Sequence, residues 1–343
     1  MKRQVGFSIV ELMIAISLGV VLMTGVVQMF VSSKTVFTTQ QGMSRLQETG
    51  RLAIDYLARD IRQAGYFGCA DITEWNLKNT LNNTDLYGSN FSTENSLRVY
   101  GEGDLPGGLV LDPEPAADTL VLIVQAANER SVSVSRENTA NQVFVDLTTP
   151  PGEDCPSGIC ENDIVVVADC DKAVVFQATG LAEGADEVAI SHAAGADPGN
   201  ARTVWGGGDA RQDTIDVGAE LFSLNSVVYY IAEDDEGVPG LYQKVQHNPA
   251  FQLLQGVENI NYTVGINNDN DGQVDAFVDS DNFGGVDWEQ VVAVRMDVLV
   301  QTPDDNSSSD QQTYEFAGEE ITATDNRIRQ VFSTTVAARS LLP

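Results

Sequence analysis

The apolar positions begin almost at once. From Phe7 to Val31 they run nearly unbroken, with one carboxylate, Glu11, set among them. A helix of about 20 apolar residues crosses a bilayer, so this run predicts a membrane span. A charge at the centre of such a helix costs roughly 2.5–3.5 kcal/mol on insertion scales, so Glu11 calls for a functional reason. Past the run the pattern changes but the helix period continues. Ser32 to Gln63 holds no proline, and Met43, Leu46, Ile54, Leu57 and Ile61 recur near helical spacing. Arg51, Asp55 and Arg59 stand four apart and predict two ion pairs along the helix. Gly42 and Gly50 read as points where it could bend, and Gly65 as its C-cap. The expectation is one long helix, half in lipid and half amphipathic, with its second stripe packed on a sheet.

After Gly65 the period shortens. Residues 70–95 are rich in Asn, Thr and Ser and read as loop. Short β-rich runs follow: "TLVLIVQ" from Thr119, "QVFVDL" from Gln142, "DIVVVADC" from Asp163 and "AVVFQAT" from Ala173. A second set is "SVVYYIAE" from Ser226, "GLYQKVQ" from Gly240, "VVAVRMDVLVQT" from Val291 and "VFSTTVAA" from Val331. Spacers such as "EDDEGVPG" suit hairpins, and no βαβ rhythm is present, so the sheet is expected to be mostly antiparallel. Residues 180–215 read as an inserted loop. The fold class is α+β: a long N-terminal helix, then a large β-rich head.

Composition narrows the functional classes. The 343 residues carry 19 Lys plus Arg against 50 Asp plus Glu, a formal charge of −31. That excludes a nucleic-acid binder, which needs a basic footprint, and argues against adhesion to anionic lipid. The four cysteines, Cys69, Cys155, Cys160 and Cys170, all follow the apolar run. In an oxidising compartment they pair as two disulfides, Cys155 with Cys160 across "CPSGIC" and Cys69 with Cys170. The second pair closes a loop of about 100 residues, which chain entropy values at roughly 4.7 kcal/mol. A zinc site is the rival, and neither His192 nor His247 has ligand spacing to a cysteine pair.

Lys2 and Arg3 keep the short N-terminus in the cytoplasm and send the rest across. A cleaved secretory signal fits poorly, because the run is long and no small-x-small site follows it. The stretch "MKRQVGFSIVELMIA" resembles a type IV prepilin. The resemblance implies a leader of residues 1–6 cut after Gly6 by a membrane-embedded prepilin peptidase, which then methylates the new terminus, Phe7. It also implies the division of the rest: a span at 7–31, a helical extension at 32–65 and a periplasmic head at 66–343. In a pilus such helices pack side by side in a dry core, where a carboxylate needs a partner. The Phe7 amine of a neighbouring subunit would serve, with Glu11 setting register. "IRQAGYFGC", "DIVVVADCDKAVVFQ", "LLQGVENINYTVG", "WEQVVAVRMDVLVQ" and "RIRQVFSTTVAARS" resemble PilW-type minor pilins of pilus assembly. The implied partners are other minor and major pilins, the peptidase and an inner-membrane assembly platform. A type II secretion pseudopilin and a pilin-anchored adhesin are the alternatives.

One stretch of the head looks chemical. In "NNDNDGQVDAFVDSDN", Asn267, Asp269, Asp271, Gly272 and Asp275 fall at positions 1, 3, 5, 6 and 9 of a calcium loop. Position 12 is Val278 instead of the bidentate Glu, and a solvated acidic hairpin tip is the other reading. "WGGGD" at Trp205 lacks the Lys-Ser/Thr ending of a phosphate loop. No nucleophile motif surrounds either histidine, and Tyr229, Tyr230 and Tyr242 read as core. The expectation is a non-enzymatic protein that requires no cofactor, with calcium in the acidic loop the one candidate ligand.

Overall fold

The computed structural model of the chain describes residues 8–69, 76–101, 103–149, 152, 154–195, 198–203, 205, 214–303, 305 and 311–341. Helix α1 spans Ile9–Gln63 without a break. Strands β1 (Leu77–Asn79), β2 (Leu97–Tyr100), β3 (Val121–Arg136), β4 (Gln142–Asp146), β5 (Ile164–Asp169), β6 (Lys172–Gln177), β7 (Gly180–Glu183), β8 (Glu187–Ser191) and β9 (Glu220–Glu233) come next. They are followed by β10 (Pro239–Val245), β11 (Phe251–Gln255), β12 (Val257–Ile266), β13 (Ala276–Asp279), β14 (Val291–Gln301), β15 (Thr313–Phe316), β16 (Glu319–Thr322) and β17 (Arg329–Ala337). The result is a long helix on a mostly antiparallel head, the α+β class that the pattern predicts.

The large sheet runs β1-β6-β5-β9-β3-β4-β8-β7, and it forks because β3 and β9 are long enough to serve three partners each. β9 pairs with β5 through residues such as Phe222 and with β10 through Val227 to Glu233. β3 pairs with β2 at one end and β4 at the other. Between Ala127 and Ser131 its register against β9 shifts, so Asn128, Glu129 and Arg130 bulge out of the ladder. A second, smaller sheet has the order β13-β12-β14-β17, and β15 pairs with β16 as a ribbon.

The inner half of α1 lies across the small sheet and the β2–β3 end of the large one. Its buried stripe is Leu46, Gly50, Ala53, Leu57, Ala58 and Ile61, sharing a core with Val124, Tyr229, Tyr262, Val294, Val298 and Val336. Each large apolar side chain withdrawn from water there contributes about 1.5–3 kcal/mol. The small residues set the approach. A Cβ added at Gly50 would collide with the ring of Phe332 on β17, so Gly50 is a packing contact, and the helix continues unbroken through it and Gly42. Gly65 follows the helix with φ +76°, the left-handed conformation a glycine permits, and its amide donates to Gln125 O at 3.0 Å.

Four expectations need correcting. Among the described residues the Arg51–Asp55 and Asp55–Arg59 pairs do not form; Arg59 instead reaches Glu129 on the β3 bulge at 3.0 Å. Residues 180–215 are not simply a loop, because they open with the β7–β8 hairpin, which pairs onto β4. Within 70–95, Leu77–Asn79 forms a strand, and β1 joins β6 in a short parallel pairing. Strands β3 and β9 also extend well beyond their apolar cores, because paired neighbours carry polar segments along.

Candidate functional site

The outer half of α1 has no partner in the fold. From Ile9 to Val31 its apolar side chains are exposed, and the exposure continues through Val36 and Phe37. Two hydroxyls in that stretch are satisfied within the helix. Ser17 Oγ donates to Met13 O and Thr24 Oγ1 to Val20 O, both at 2.8 Å, as a bilayer demands. At the helix start, Ser8 is the N-cap. Its Oγ accepts from Val10 N at 3.4 Å, and Glu11 Oε2 accepts from Ser8 N at 3.3 Å. Ser8 and Glu11 thus close a capping box, a role for Glu11 legible in the S-x-x-E spacing but missed there. Gly6, Phe7 and the leader lie outside the described residues.

At the inner end of α1 an open cleft of about 1000 Å³ separates the helix, the β3 bulge and the Cys155–Cys160 loop. Its floor is a chain of polar contacts: Gln243 Nε2 donates to Tyr229 Oη, and Tyr229 Oη donates to Asp60 Oδ2, each at 2.7 Å. Burial raises the Asp60 carboxyl, partly opposed by the Tyr229 hydrogen bond. Burial and then the Asp60 charge push the Tyr229 phenol strongly upward. Tyr229 is therefore both core, as expected, and the polar anchor of the helix. On the rim, Arg59 and Gln63 both donate to Glu129 Oε1, at 3.0 and 3.1 Å. These are exposed groups, and the pair adds little energy. Together they hold the end of α1 to the bulge.

A second buried cluster locks the end of the head. Arg329, 8% exposed, donates to Glu258 Oε2 at 2.6 Å, Asp325 Oδ1 at 2.5 Å and Gln301 Oε1 at 3.2 Å. Burial works against its charge, but the bonds to Asp325 and Glu258 outweigh that and raise it. The same guanidinium lowers Asp325. Local pattern did not announce either cluster, since each draws in residues far apart in the chain; only Asp325 and Arg329 stand four apart.

The acidic loop keeps to itself. Asp275 Oδ2 accepts from Asn268 N at 2.7 Å, Asp269 Oδ1 from Asp271 N at 3.2 Å, and Asp271 Oδ1 from Gln273 N at 2.7 Å. Asn267 is buried at its base, and its Oδ1 has no hydrogen-bond partner among the described residues. Among those residues no three His, Cys, Asp or Glu side chains converge as metal ligands, in this loop or elsewhere. Cys155 is bonded to Cys160 and Cys69 to Cys170. The first closes a turn whose Ser157 Oγ donates to Asp146 O at 2.7 Å, and the second ties the segment after α1 to the end of β5. His192 is buried against Trp205, ring centroids 4.4 Å apart, and burial lowers it to about 4. It packs between Trp205 and Phe176 within the head.

Two family models match the chain. One is the prokaryotic N-terminal methylation motif, over residues 1–27. The other is the type IV pilus assembly protein W family, over residues 228–340. Together the two matches support a PilW-type, prepilin-like minor pilin. The PilW match takes in the second half of β9, β10, β11, the whole small sheet and the ribbon, and so the small-sheet part of the surface on which α1 rests. The resemblance carried by "IRQAGYFGC" and "DIVVVADCDKAVVFQ" lies outside the matched residues, as do β1 to β8. No curated protein and no solved structure matches. As a pilin of type IV pilus assembly, the chain is anchored in the inner membrane by the outer half of α1, with its head in the periplasm. Its work places it among other pilins and the assembly machinery, in a family whose members are generally structural.

Proposed function

We propose that this minor pilin acts in the priming or tip complex of the pilus. Residues 1–6 are removed after Gly6 by prepilin peptidase, Phe7 is methylated, and residues 7–31 move from the bilayer into the bundle of sister helices. Glu11 then pairs with the Phe7 amine of a neighbouring major or minor pilin, which sets axial register as the assembly platform extrudes the fibre. The head, 66–343, works without catalysis and requires no cofactor. The calcium reading of Asn267, Asp269, Asp271 and Asp275 finds no converging carboxylates to support it.

The observation that carries this reading is the single unbroken α1. Its first half is apolar and exposed, while its second half is bolted into the head. A rod of that kind moves head and anchor as one piece, which extrusion from a membrane into a fibre requires. Intact-terminus mass spectrometry on protein from native membranes tests it. A chain starting at Phe7 and carrying one extra methyl group is expected. A chain starting at Met1 in processing-competent cells overturns the reading.

A further inference from the structure

The small sheet ends on β17, and among the described residues no strand pairs with its outer side. Antiparallel strands turn successive residues' backbone groups alternately toward and away from the partner strand. The parity on β17 is set at both ends. Arg329 N and O turn away from β14 and meet the side chain of Gln312 at 2.7 and 2.8 Å. Ala338 N turns inward and donates to Val292 O at 2.9 Å. Even-numbered residues therefore bond to β14. Val331, Ser333, Thr335 and Ala337 each present an N–H and a C=O outward, and among the described residues none of these has a partner.

Natural sheets blunt such edges with charges, proline, bulges or short strands. The other edges here follow that rule. β13, at the far side of the same sheet, has four residues beside Asp275 and ends on Asp279; β7 has four and ends on Glu183; β1 has three. β17 has nine, and from Gln330 to Ala337 it carries no charge, no proline and no bulge in its pairing with β14. In a chain of net charge −31, an uncharged edge of this length is an exception. Its even side chains, Phe332 and Val336, face α1, while Ser333, Thr335 and Ala337 are exposed.

We infer that the open edge of β17 receives an extended strand from the head of a different pilin, adding it to the small sheet. The inference rests on the assembly role proposed above. Two observations select the occupant. α1 crosses the small sheet over its β17–β14 side, so a subunit whose helix bundles against this α1 arrives beside the edge. A second copy is disfavoured because each would bring a charge of −31. Main-chain hydrogen bonds would supply the affinity, and the pockets beside β17 the choice of side chains.

The test uses the full-length chain in native membranes, with a photo-crosslinking phenylalanine analogue at Ser333 and, in a separate strain, at Val21 in the apolar helix. Thr335→Pro removes an outward N–H that β14 does not use, the one setting in which a sheet tolerates proline. Thr335→Lys is the second variant and blunts the edge without touching the backbone. An adduct from Ser333 to the head of another pilin, cut about tenfold or more by either variant while the disulfides stay closed, supports the inference. An adduct to a second copy, or to a protein other than a pilin, overturns the occupant. Pilin adducts at Val21 with none at Ser333 overturn the edge and leave the assembly role standing. No pilin adduct at either position, with an unprocessed N-terminus, overturns the assembly role and this inference with it.

Discussion

One substitution separates the helix cap that Glu11 forms from the assembly role proposed for it. In the single subunit it closes the capping box with Ser8, through contacts of 3.3 and 3.4 Å at an exposed helix end. Bonds that long sit at the weak end of the range, so the cap is worth about 0.5–1 kcal/mol. In a fibre, where the helices exclude water, a carboxylate facing an amine is a buried ion pair. Removing one partner then costs about 3–5 kcal/mol, because the other charge is left behind. Glu11→Gln keeps the cap, since glutamine serves in a capping box, but abolishes the charge. Glu11→Ala abolishes both. If charge pairing governs assembly, both variants lose incorporation by about 100-fold or more, the factor that 3 kcal/mol implies. Quantitative immunoblotting of sheared fibres, normalised to the membrane pool, reads this directly. Near-normal incorporation of Glu11→Gln beside a modest loss for Glu11→Ala would refute the pairing argument and reduce Glu11 to a helix cap.

Two further outcomes concern the head. Arg329→Leu leaves Glu258 and Asp325 without their shared cation, and their side chains are about a quarter exposed. The cost at neutral pH is about 2–3 kcal/mol, below the value for a fully buried pair. Because Arg329 lowers Asp325, its contribution is present above the unfolded carboxylate value and lost as pH falls through the folded one. Urea unfolding should therefore show the gap between variant and wild type holding from pH 7 to about pH 4 and closing below that, and a gap that stays constant on further acidification would count against the cluster. His192 behaves in the opposite sense to a paired histidine. Its folded value of about 4 lies below the ordinary 6.5, so the unfolded chain binds the proton first as pH drops. Stability falls between those values, by on the order of 3 kcal/mol. His192→Phe should flatten that part of the pH profile, and an unchanged slope would show that burial of this ring is not its source.

The chain pattern by itself determined α1, the anchor, the antiparallel strands and the N-terminal methylation motif. Each is a local property: an apolar run as long as a bilayer, a 3.6-residue stripe, a two-residue alternation, a short motif. Glu11 belongs with these, since one carboxylate in an apolar run stands out without any fold. Even its cap with Ser8 lay within four residues. Local pattern failed where distant segments compete for the same side chain. Arg59 has Asp55 one turn away in the helix, yet the bulge of β3 brings Glu129 to it instead. Gly50 reads as a flaw in a helix until Phe332 is placed against it. Tyr229 reads as plain core until Asp60 and Gln243 arrive. Residues 180–215 look like a loop because their strands are short and polar, and they become strands only because β4 offers them a ladder. Which end of a sheet lies open is likewise invisible along the chain. "VFSTTVAA" reads as an ordinary strand, and only the packing order β13-β12-β14-β17 leaves one side of it unpaired. Secondary structure follows from neighbours in sequence, whereas burial, pairing and edges follow from neighbours in space, and those exist only once the chain has closed on itself.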